Sequence, residues 1–384
     1  MKKRNFLKLL ATTAVIPTLY PSALLKGNIF HSEKRLNILV LGGRGFLGPT
    51  IIKELLDAGH RVTILNRGIT NPHLFKELPF IKCDRELEDK MGILSVKQRI
   101  EGERWDSVID TWQKSPKAVQ DFLEEFGPSI GHYHYISTFS VYDKWNDIGI
   151  DEQAELNEIE DLPVTIAEEH RYAIRKTMPE HHIMEHKNLN WTIYRCHGIR
   201  SDRLPIVDNP HEEPYWPIRF HKGGEILLPD VKDHHIQMTD AVSLSRFIIH
   251  TAENGITGKY NVAYPSMTFK SYISSLIEIT GKPKKQHWIP GDFLIKNEVV
   301  PYREIEYWKV RSPGSYYFSV DKALKAGLKN RPVSEMLRDQ ITGYIRRYPE
   351  EDFEFGGMYD GAVVKLSSEK ERDVIHKWLE ASRK

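Results

Sequence analysis

The sequence predicts an α/β protein built on a doubly wound parallel sheet, with a smaller α+β lobe towards its C-terminus. Between residues 36 and 142, short apolar runs typical of strands buried on both faces alternate with helical patterns. A glycine-rich turn follows the first run. Prolines then cluster at positions 205, 210, 214 and 217, which indicates irregular structure above the sheet.

The predicted elements cover most of the chain beyond residue 36. Apolar runs predict strands at residues 37–41, 62–66, 79–83, 107–110, 134–137, 191–195 and 260–263. Asp240 is expected to cap a helix over 241–253. Further helices are expected over 269–280 and, at the periphery, over 369–382.

The turn after the first strand has three glycines with the spacing G-x-x-G-x-x-G. Such glycines permit a tight turn, let a pyrophosphate approach the backbone and let the next helix pack closely. The unpaired N–H groups at the start of that helix would attract phosphates. The turn is therefore predicted to bind a dinucleotide through Gly42, Gly43, Gly45, Phe46, Leu47 and Gly48.

Residues after the next strands are expected to bind the rest of this cofactor. Asn66 and Arg67 occupy the position where an Asp or Glu would bind the ribose 2′-hydroxyl, and a guanidinium can pair with a 2′-phosphate. NADP is therefore mildly favoured over NAD, although stacking of Arg67 on adenine would suit either. Asp84-Arg85 follow the third strand on the adenine side, and Thr111 follows the fourth beside the nicotinamide half.

The composition argues against several classes of protein. Basic and acidic residues number 54 and 53, so no nucleic-acid partner is expected. The two cysteines, Cys83 and Cys196, suggest neither a disulfide framework nor a metal cluster. The chain beyond the N-terminal segment has no apolar stretch long enough to span a bilayer.

Residues 1–32 have the layout of an export signal, a basic start followed by a mostly apolar stretch. Residues 3–8, Lys-Arg-Asn-Phe-Leu-Lys, resemble a twin-arginine signal in which lysine replaces the first arginine. We expect an exported, periplasmic protein; a membrane tether through residues 6–25 and a cytoplasmic protein stay open. Because no nicotinamide pool exists outside the cytosol, an exported enzyme should keep and recycle its cofactor.

Hydroxyl groups and a cation are predicted to meet at the end of the fifth strand. Ser137 and Thr138 lie just beyond its apolar residues, and Tyr172 and Lys176 follow with the spacing Y-x-x-x-K. On a helix this spacing places phenol and ammonium on one face. A tyrosine with a pKa of about 10 is a poor base at neutral pH, and a neighbouring cation favours its phenolate.

With these motifs the chain resembles an extended short-chain dehydrogenase/reductase of the NAD-dependent epimerase/dehydratase type. The resemblance covers residues 36–348 and rests on the glycine turn, Asp84-Arg85, Tyr172-x-x-x-Lys176 and the segments 137–142, 195–199, 237–240 and 258–261. Within that family, the chain most resembles the branch that includes chloroplast stem-loop-binding proteins and bacterial epimerase-like proteins.

The resemblance implies a Rossmann fold that binds NAD(P) over residues 33–200 and a substrate lobe over 201–348, interleaved with the last strands, before an extension over 349–384. It implies that Thr138 holds the substrate hydroxyl and that Tyr172 is the acid/base. Lys176 would bind the nicotinamide ribose and lower the pKa of Tyr172. Ser137 and Arg195 would lie beside the cofactor.

Two local patterns favour other interpretations of the segment after Tyr172. Pro179 would interrupt a helix, and Thr177 with Glu180 could form a capping box that opens a new one. The segment from His182 to His186 matches H-x-x-E-H, a zinc-protease pattern. We interpret both histidines as surface residues and expect no metal.

The expected activity is epimerase/dehydratase chemistry at a carbinol carbon of a sugar or sugar-like small molecule, with a tightly held cofactor. An exported enzyme would more plausibly use a free sugar or glycoside than a nucleotide sugar. An NADP-dependent reductase or dehydrogenase of a small carbonyl compound and a non-catalytic RNA-binding protein stay open, as does a homodimer. Substrate contacts are expected from Arg203, Tyr215, Trp216, Arg219 and Gln237.

Overall fold

The computed structural model describes residues 34–112, 114–159, 171–204, 213–281, 285–308, 313–349, 354–359 and 362–383. The signal-like segment lies outside these residues, and the export prediction with it. No helix in the described ranges is long and apolar enough to cross a membrane.

The strands of the described residues are short and mostly buried. In chain order they are β1 (Asn37–Leu41), β2 (Arg61–Asn66), β3 (Phe80–Lys82), β4 (Ser107–Asp110), β5 (Tyr133–Thr138), β6 (Trp191–Cys196), β7 (Ile199–Arg200), β8 (Glu225–Pro229), β9 (His235–Ile236), β10 (Thr239–Asp240), β11 (Gly258–Val262), β12 (Met267–Thr268), β13 (Lys285–Ile289), β14 (Gly357–Tyr359) and β15 (Ala362–Val364).

The α-helices alternate with these strands. In chain order they are α1 (Gly48–Asp57), α2 (Met91–Leu94), α3 (Lys97–Glu101), α4 (Pro116–Phe126), α5 (Arg171–Glu185), α6 (Tyr215–Lys222), α7 (Ala241–Asn254), α8 (Phe269–Thr280), α9 (Gly291–Lys296), α10 (Asp321–Lys325), α11 (Val333–Arg347) and α12 (Ser368–Ala381).

Seven parallel strands form the main sheet in the order β11-β6-β5-β4-β1-β2-β3. The order reverses between β1 and β4, and in such sheets ligands bind in the crevice outside the carboxyl ends at this point. Leu41 of β1 pairs with Asp110 of β4, so the residues that follow them, Gly42 and Thr111, are neighbours at this crevice. The predicted α/β class and doubly wound sheet are confirmed.

Helices cover both faces of the sheet because each has one apolar side. On one face, α1 and α7 contribute Ile52, Leu55 and Phe247 to the same core as Ile38 and Val40 of β1. On the other, α4 and α5 pack against Leu39, Leu41 and their neighbours. Asp240 caps α7 as predicted, because its carboxylate accepts a 2.9 Å hydrogen bond from the amide of Ser243.

A second apolar core lies in the lobe, around the parallel pair β8 and β13. Helices α6, α8 and α11 contribute to it, while the intervening β11 returns to the main sheet. Helix α12 differs from the expected peripheral helix, because Val374 and Ile375 are buried in this core. Its apolar side therefore belongs to the lobe.

Helix α5 continues through Pro179, so the alternative of a new helix that begins at Thr177 is wrong. The capping box does not form because both its side chains are bound elsewhere. The Thr177 hydroxyl donates to the carbonyl of Ala173 at 3.0 Å, and the Glu180 carboxylate accepts from Arg195. Tyr172 and Lys176 therefore share one helix, as the Y-x-x-x-K spacing predicts.

Candidate active site

The first and last glycines of the turn are required by close packing. A Cβ at Gly48 would lie 2.4 Å from the Cα of Gly43, so α1 can approach the turn only without a side chain there. A Cβ at Gly42, where φ is +111°, would lie 2.2 Å from the Thr111 hydroxyl. That hydroxyl donates to the Leu41 carbonyl at 2.9 Å. The turn after β1 is thus joined to the loop after β4.

Gly45 is different, because a Cβ there would meet no atom within 4 Å. The protein itself leaves this space open, which fits a backbone that a pyrophosphate approaches closely. Helix α1 begins beside it with no side-chain cap at Leu47 and no acidic residue in its first turn. Uncapped N–H groups and open space together fit a dinucleotide phosphate group.

At the end of β2, Asn66 supports the turn rather than facing a ligand. Its amide donates to the Gly42 carbonyl at 2.6 Å and accepts from the Gly68 amide at 2.7 Å. Arg67 is half-buried and forms no hydrogen bond or ion pair with any described residue. Its guanidinium stays available for a ligand. Nearby, Arg44 lies over the Phe80 ring at 4.6 Å with its Nε atom unpaired.

Arg85 is buried, and the structure does not support its predicted contact with the cofactor. Its guanidinium forms a forked pair with Asp110, at 3.0 and 2.8 Å, and donates to the Ala118 carbonyl. Asp110 also accepts from Tyr133. Asp84 stays half-buried at the strand end, where its carboxylate accepts from the amide of Glu86. Of this pair, only Asp84 remains a cofactor candidate.

Thr138 and Tyr172 come together at the end of β5. Tyr172 is 43% exposed, so its ring reaches the open side of the site. Burial of the phenol raises its pKa, and a hydrogen bond with Thr138 opposes that rise. The Thr138 oxygen also accepts from the Ser140 amide at 3.2 Å. One hydroxyl and one phenol thus lie side by side at the carboxyl edge of the sheet, as predicted.

Lys176 is buried beneath this pair, and its three N–H donors all have acceptors. They are the carbonyls of Trp112 and Ile136, at 2.7 and 2.6 Å, and the hydroxyl of Tyr135 at 3.3 Å. Burial lowers the lysine pKa to about 8. The pKa of Tyr172 stays raised, which differs from the predicted effect of the lysine. Burial of the phenol is the main cause of the rise, and the ammonium is bound to backbone oxygens instead of to the phenol.

One turn after Lys176, Glu180 anchors helix α5 to the sheet. It pairs with the Arg195 guanidinium at 2.7 Å and accepts from the Ser137 hydroxyl. Arg195 also donates to the Tyr142 phenol at 3.0 Å. Arg195 and Ser137, predicted to contact the cofactor, are therefore engaged inside the protein. They instead hold the strand ends next to Thr138 against the helix.

Most of the predicted substrate residues lie inside the lobe, and this prediction needs correction. Tyr215 and Trp216 have no exposed surface because both pack in its apolar core. Arg219 pairs with Glu371 of α12 at 2.6 Å, which uses the guanidinium to hold that helix. A composition rich in aromatic residues and prolines could not distinguish core from binding surface.

Gln237 and Arg203 complete this set. The Gln237 side chain is buried and bonds to the backbone of Tyr264 and Phe318. Arg203 is half-buried, beside Asp202, Arg346 and Arg347, and burial is the main reason that its pKa is lowered. The guanidinium of Arg203 makes no hydrogen bond to a described residue, so Arg203 is the one of the five that stays a candidate for substrate binding.

No sequence pattern indicated a group of aromatic rings that lies just beyond β6. His197 packs edge-on against Phe139 and near the rings of Trp145 and Tyr316. Its Nε2 atom lies 3.0 Å from the carbonyl of Ser315, and burial lowers its pKa to about 4. Phe139 is buried and the other three rings are half-buried, and the four come from distant segments of the chain. Only the position of His197 after a predicted strand could have indicated them.

Comparisons with known proteins agree with this geometry. The family model of NAD-dependent epimerases/dehydratases matches residues 38–263. A chloroplast stem-loop binding protein of 41 kDa (b) from Arabidopsis thaliana is 25% identical over 294 residues, which is 72% of this chain and 72% of that protein.

Solved structures share the fold at low identity. The UDP-glucose 4-epimerase of Thermotoga maritima, solved with UDP-glucose, is 17% identical and has a TM-score of 0.57, covering 82% of this chain and all of that one. The UDP-glucuronic acid 4-epimerase of Bacillus cereus, in complex with NAD, is 18% identical with a TM-score of 0.55 and covers 82% of this chain. Because the family model spans more than half of the sequence, the chain belongs to the NAD-dependent epimerase/dehydratase family.

Proposed function

We propose that the protein is an NAD(P)-dependent enzyme that acts at a carbinol carbon of a sugar or sugar-like compound and recycles a tightly held cofactor. One observation supports this most strongly. A continuous series of contacts runs from Gly42 to Thr111, through the Trp112 carbonyl to Lys176, and along α5 to Tyr172. The groups for cofactor binding and for proton transfer thus form one rigid unit.

Tyr172 is the proposed proton carrier. Its raised pKa keeps a proton on Oη at neutral pH, and Thr138 holds the phenol by a hydrogen bond. A substrate hydroxyl between these two groups would give its proton to the phenolate form of Oη when hydride leaves the carbinol carbon, and the phenol would return a proton when hydride comes back. A bound nicotinamide would supply the hydride acceptor and donor, and its positive charge would favour the phenolate.

Lys176 is the proposed support for both groups. With a pKa of about 8 it is mostly charged at pH 7, and its ammonium fixes the loop after β4 to β5. A cofactor ribose at this edge would compete for the donor now shared with Tyr135, which makes the longest of the three bonds. The residues that would bind the phosphates are those of the glycine turn, with Asp84 on the adenine side.

The choice between NAD and NADP depends on Arg67. Its guanidinium forms no hydrogen bond or ion pair with a described residue, which supports a mild preference for a 2′-phosphate, whereas the Bacillus cereus structure holds NAD. Arg67→Ala should weaken NADP binding more than NAD binding, with Lys82→Ala, at the end of the neighbouring β3, as the control. Equal losses for the two cofactors would remove the preference for NADP.

Export through residues 1–32 is part of the proposal and supports cofactor retention, because a released cofactor could not be recharged outside the cytosol. A fusion of residues 1–30 to a reporter that is active only when exported folded should give a signal. Arg4→Lys should reduce that signal. A silent fusion in the native host would instead favour a cytosolic enzyme and a nucleotide sugar as its substrate.

The decisive experiment for the reaction is a turnover assay on a panel of free sugars, glycosides and nucleotide sugars without added cofactor. A redox-neutral enzyme that retains its cofactor should convert one of them, with no net change in NAD(P)H absorbance. Turnover that requires one equivalent of added NAD(P) per product would contradict internal recycling. It would identify a dehydrogenase or reductase instead.

A further inference from the structure

Two histidines on α5 face each other outside the proposed active site. His182 and His186 are one helical turn apart, and their Nε2 atoms are 3.4 Å apart. Their rings are nearly perpendicular, at 81°, with centroids 5.0 Å apart. Both side chains are half-buried.

The separation of the two nitrogens is long for a hydrogen bond, which usually spans 2.7–3.2 Å. It matches a different geometry. Two imidazole nitrogens at about 2.05 Å from a tetrahedral zinc ion would lie about 3.3–3.4 Å apart. In a square-planar site at similar bond lengths, neighbouring nitrogens would lie about 2.9 Å apart. The observed spacing therefore fits a tetrahedral ion better than a tetragonal one.

The surroundings favour a bound cation. The carboxylates of Glu124, Glu185 and Asp121 are near enough to interact electrostatically with His182. These carboxylates belong to α4 and α5 and supply negative potential beside the nitrogen pair. Glu124 is bound to Lys90 at 2.7 Å and to Gln120 at 2.9 Å, so its carboxylate acts at a distance.

In contrast to the expectation of no metal from the sequence, we propose that His182 and His186 chelate a zinc ion whose remaining ligands are water. No group of three or more His, Cys, Asp or Glu side chains in the described ranges is close enough to hold a metal, so the affinity should be moderate. The chelate would join residues one turn apart just after Pro179, which lacks the N–H for one helical hydrogen bond. The ion thus stabilises the last turn of the helix that carries Tyr172 and Lys176.

The test uses untagged, full-length protein stripped of metal with a chelator, and isothermal titration with Zn²⁺. One ion should bind to the wild type and raise the thermal midpoint, because a ligand of the folded state stabilises it. His182→Gln and His186→Gln should each weaken this binding by about tenfold or more, since each removes one of two protein ligands. Mg²⁺ should give no shift, because it prefers oxygen ligands.

His181→Gln is the matched control, because this histidine is on the same helix one position from His182. It should bind zinc as the wild type does. Circular dichroism of the metal-free variants would show that each is folded. Equal zinc affinity in the wild type and in folded His182→Gln would overturn the proposal, and so would a loss of affinity that follows His181→Gln.

Discussion

The carboxyl edge of the main sheet and the core of the lobe both contain tyrosines, arginines and carboxylates, but these groups have different surroundings. At the edge, Tyr172 is 43% exposed and space is open in front of Gly45. In the lobe, Tyr215 has no exposed surface and Arg219 is bound to Glu371. We propose that such side chains serve catalysis at the edge, whereas in the lobe they stabilise the fold. The regions differ in whether the polar side chains are exposed next to open space or are buried and already bound to a partner.

The largest expected difference between the regions concerns the two tyrosines. Tyr172→Phe removes the proton carrier and should lower turnover by about 10²–10⁴-fold, as loss of one positioned acid/base does. Tyr215→Phe removes a buried hydroxyl that has no hydrogen-bond partner among the described residues, so it should leave turnover unchanged. Steady-state kinetics of both variants measures this difference. Full activity in Tyr172→Phe would contradict the proposed acid/base.

A second comparison concerns two buried ion pairs, one from each region. Glu180→Gln leaves Arg195 without its counter-ion and should cost about 3–5 kcal/mol of unfolding free energy. It should also lower turnover, because Glu180 holds α5 one turn from Lys176. Glu371→Gln in the lobe should destabilise the fold with little effect on turnover in the molecules that stay folded. Denaturant unfolding and kinetics on both variants would separate these effects.

A third prediction concerns acid stability of the main sheet. His132 accepts or donates a 2.8 Å hydrogen bond with Thr192 and stacks near His134, and burial lowers its pKa from 6.5 to about 4. A depressed histidine pKa stabilises the fold above pH 6.5, and that contribution is lost as pH falls through 4. The loss should reach about 3 kcal/mol.

Unfolding free energies measured between pH 7 and 4 would test this contribution. The slope with pH should be shallower in His132→Gln, whatever the cost of that change at neutral pH. An unchanged slope in this variant would show that His132 does not take up a proton in this range.

The smallest expected effect separates two glycines of one turn. Gly48→Ala should cost about 1–3 kcal/mol, because its Cβ would overlap the backbone of Gly43. Gly45→Ala should leave the free energy of unfolding almost unchanged, because its Cβ meets open space. Thermal unfolding of the cofactor-free proteins compares them. A comparable loss in Gly45→Ala would show that this glycine also serves the fold.

Local patterns predicted the sheet and the glycine turn well. The apolar runs placed Ser107–Asp110 and Phe269–Thr280 within the correct bounds, and the contacts of Gly42 and Gly48 are those the motif requires. Both results follow from residues near in sequence. The strand and the helix form because each buries an apolar face, and the spacing of apolar residues in the sequence shows that face directly.

The partners of buried charges could not be predicted in this way. Arg85 meets Asp110, and Arg195 meets Glu180, across 25 and 15 positions of sequence. Lys176 is bound to backbone carbonyls, which every residue has, so no sequence pattern indicates them. In the lobe, aromatic residues that could line a cleft fill a second core instead. Long-range packing decides which charges remain free.

The central claim is that the crevice between β1 and β4 holds a dinucleotide on the glycine turn. The most direct test is mass spectrometry of the small molecules released on denaturing the purified wild type and Gly45→Asp. The wild type should release NAD or NADP at close to one equivalent per chain. Folded Gly45→Asp should release almost none, because its carboxylate would occupy the phosphate space and repel the phosphate. Equal amounts of cofactor from both proteins would contradict the claim.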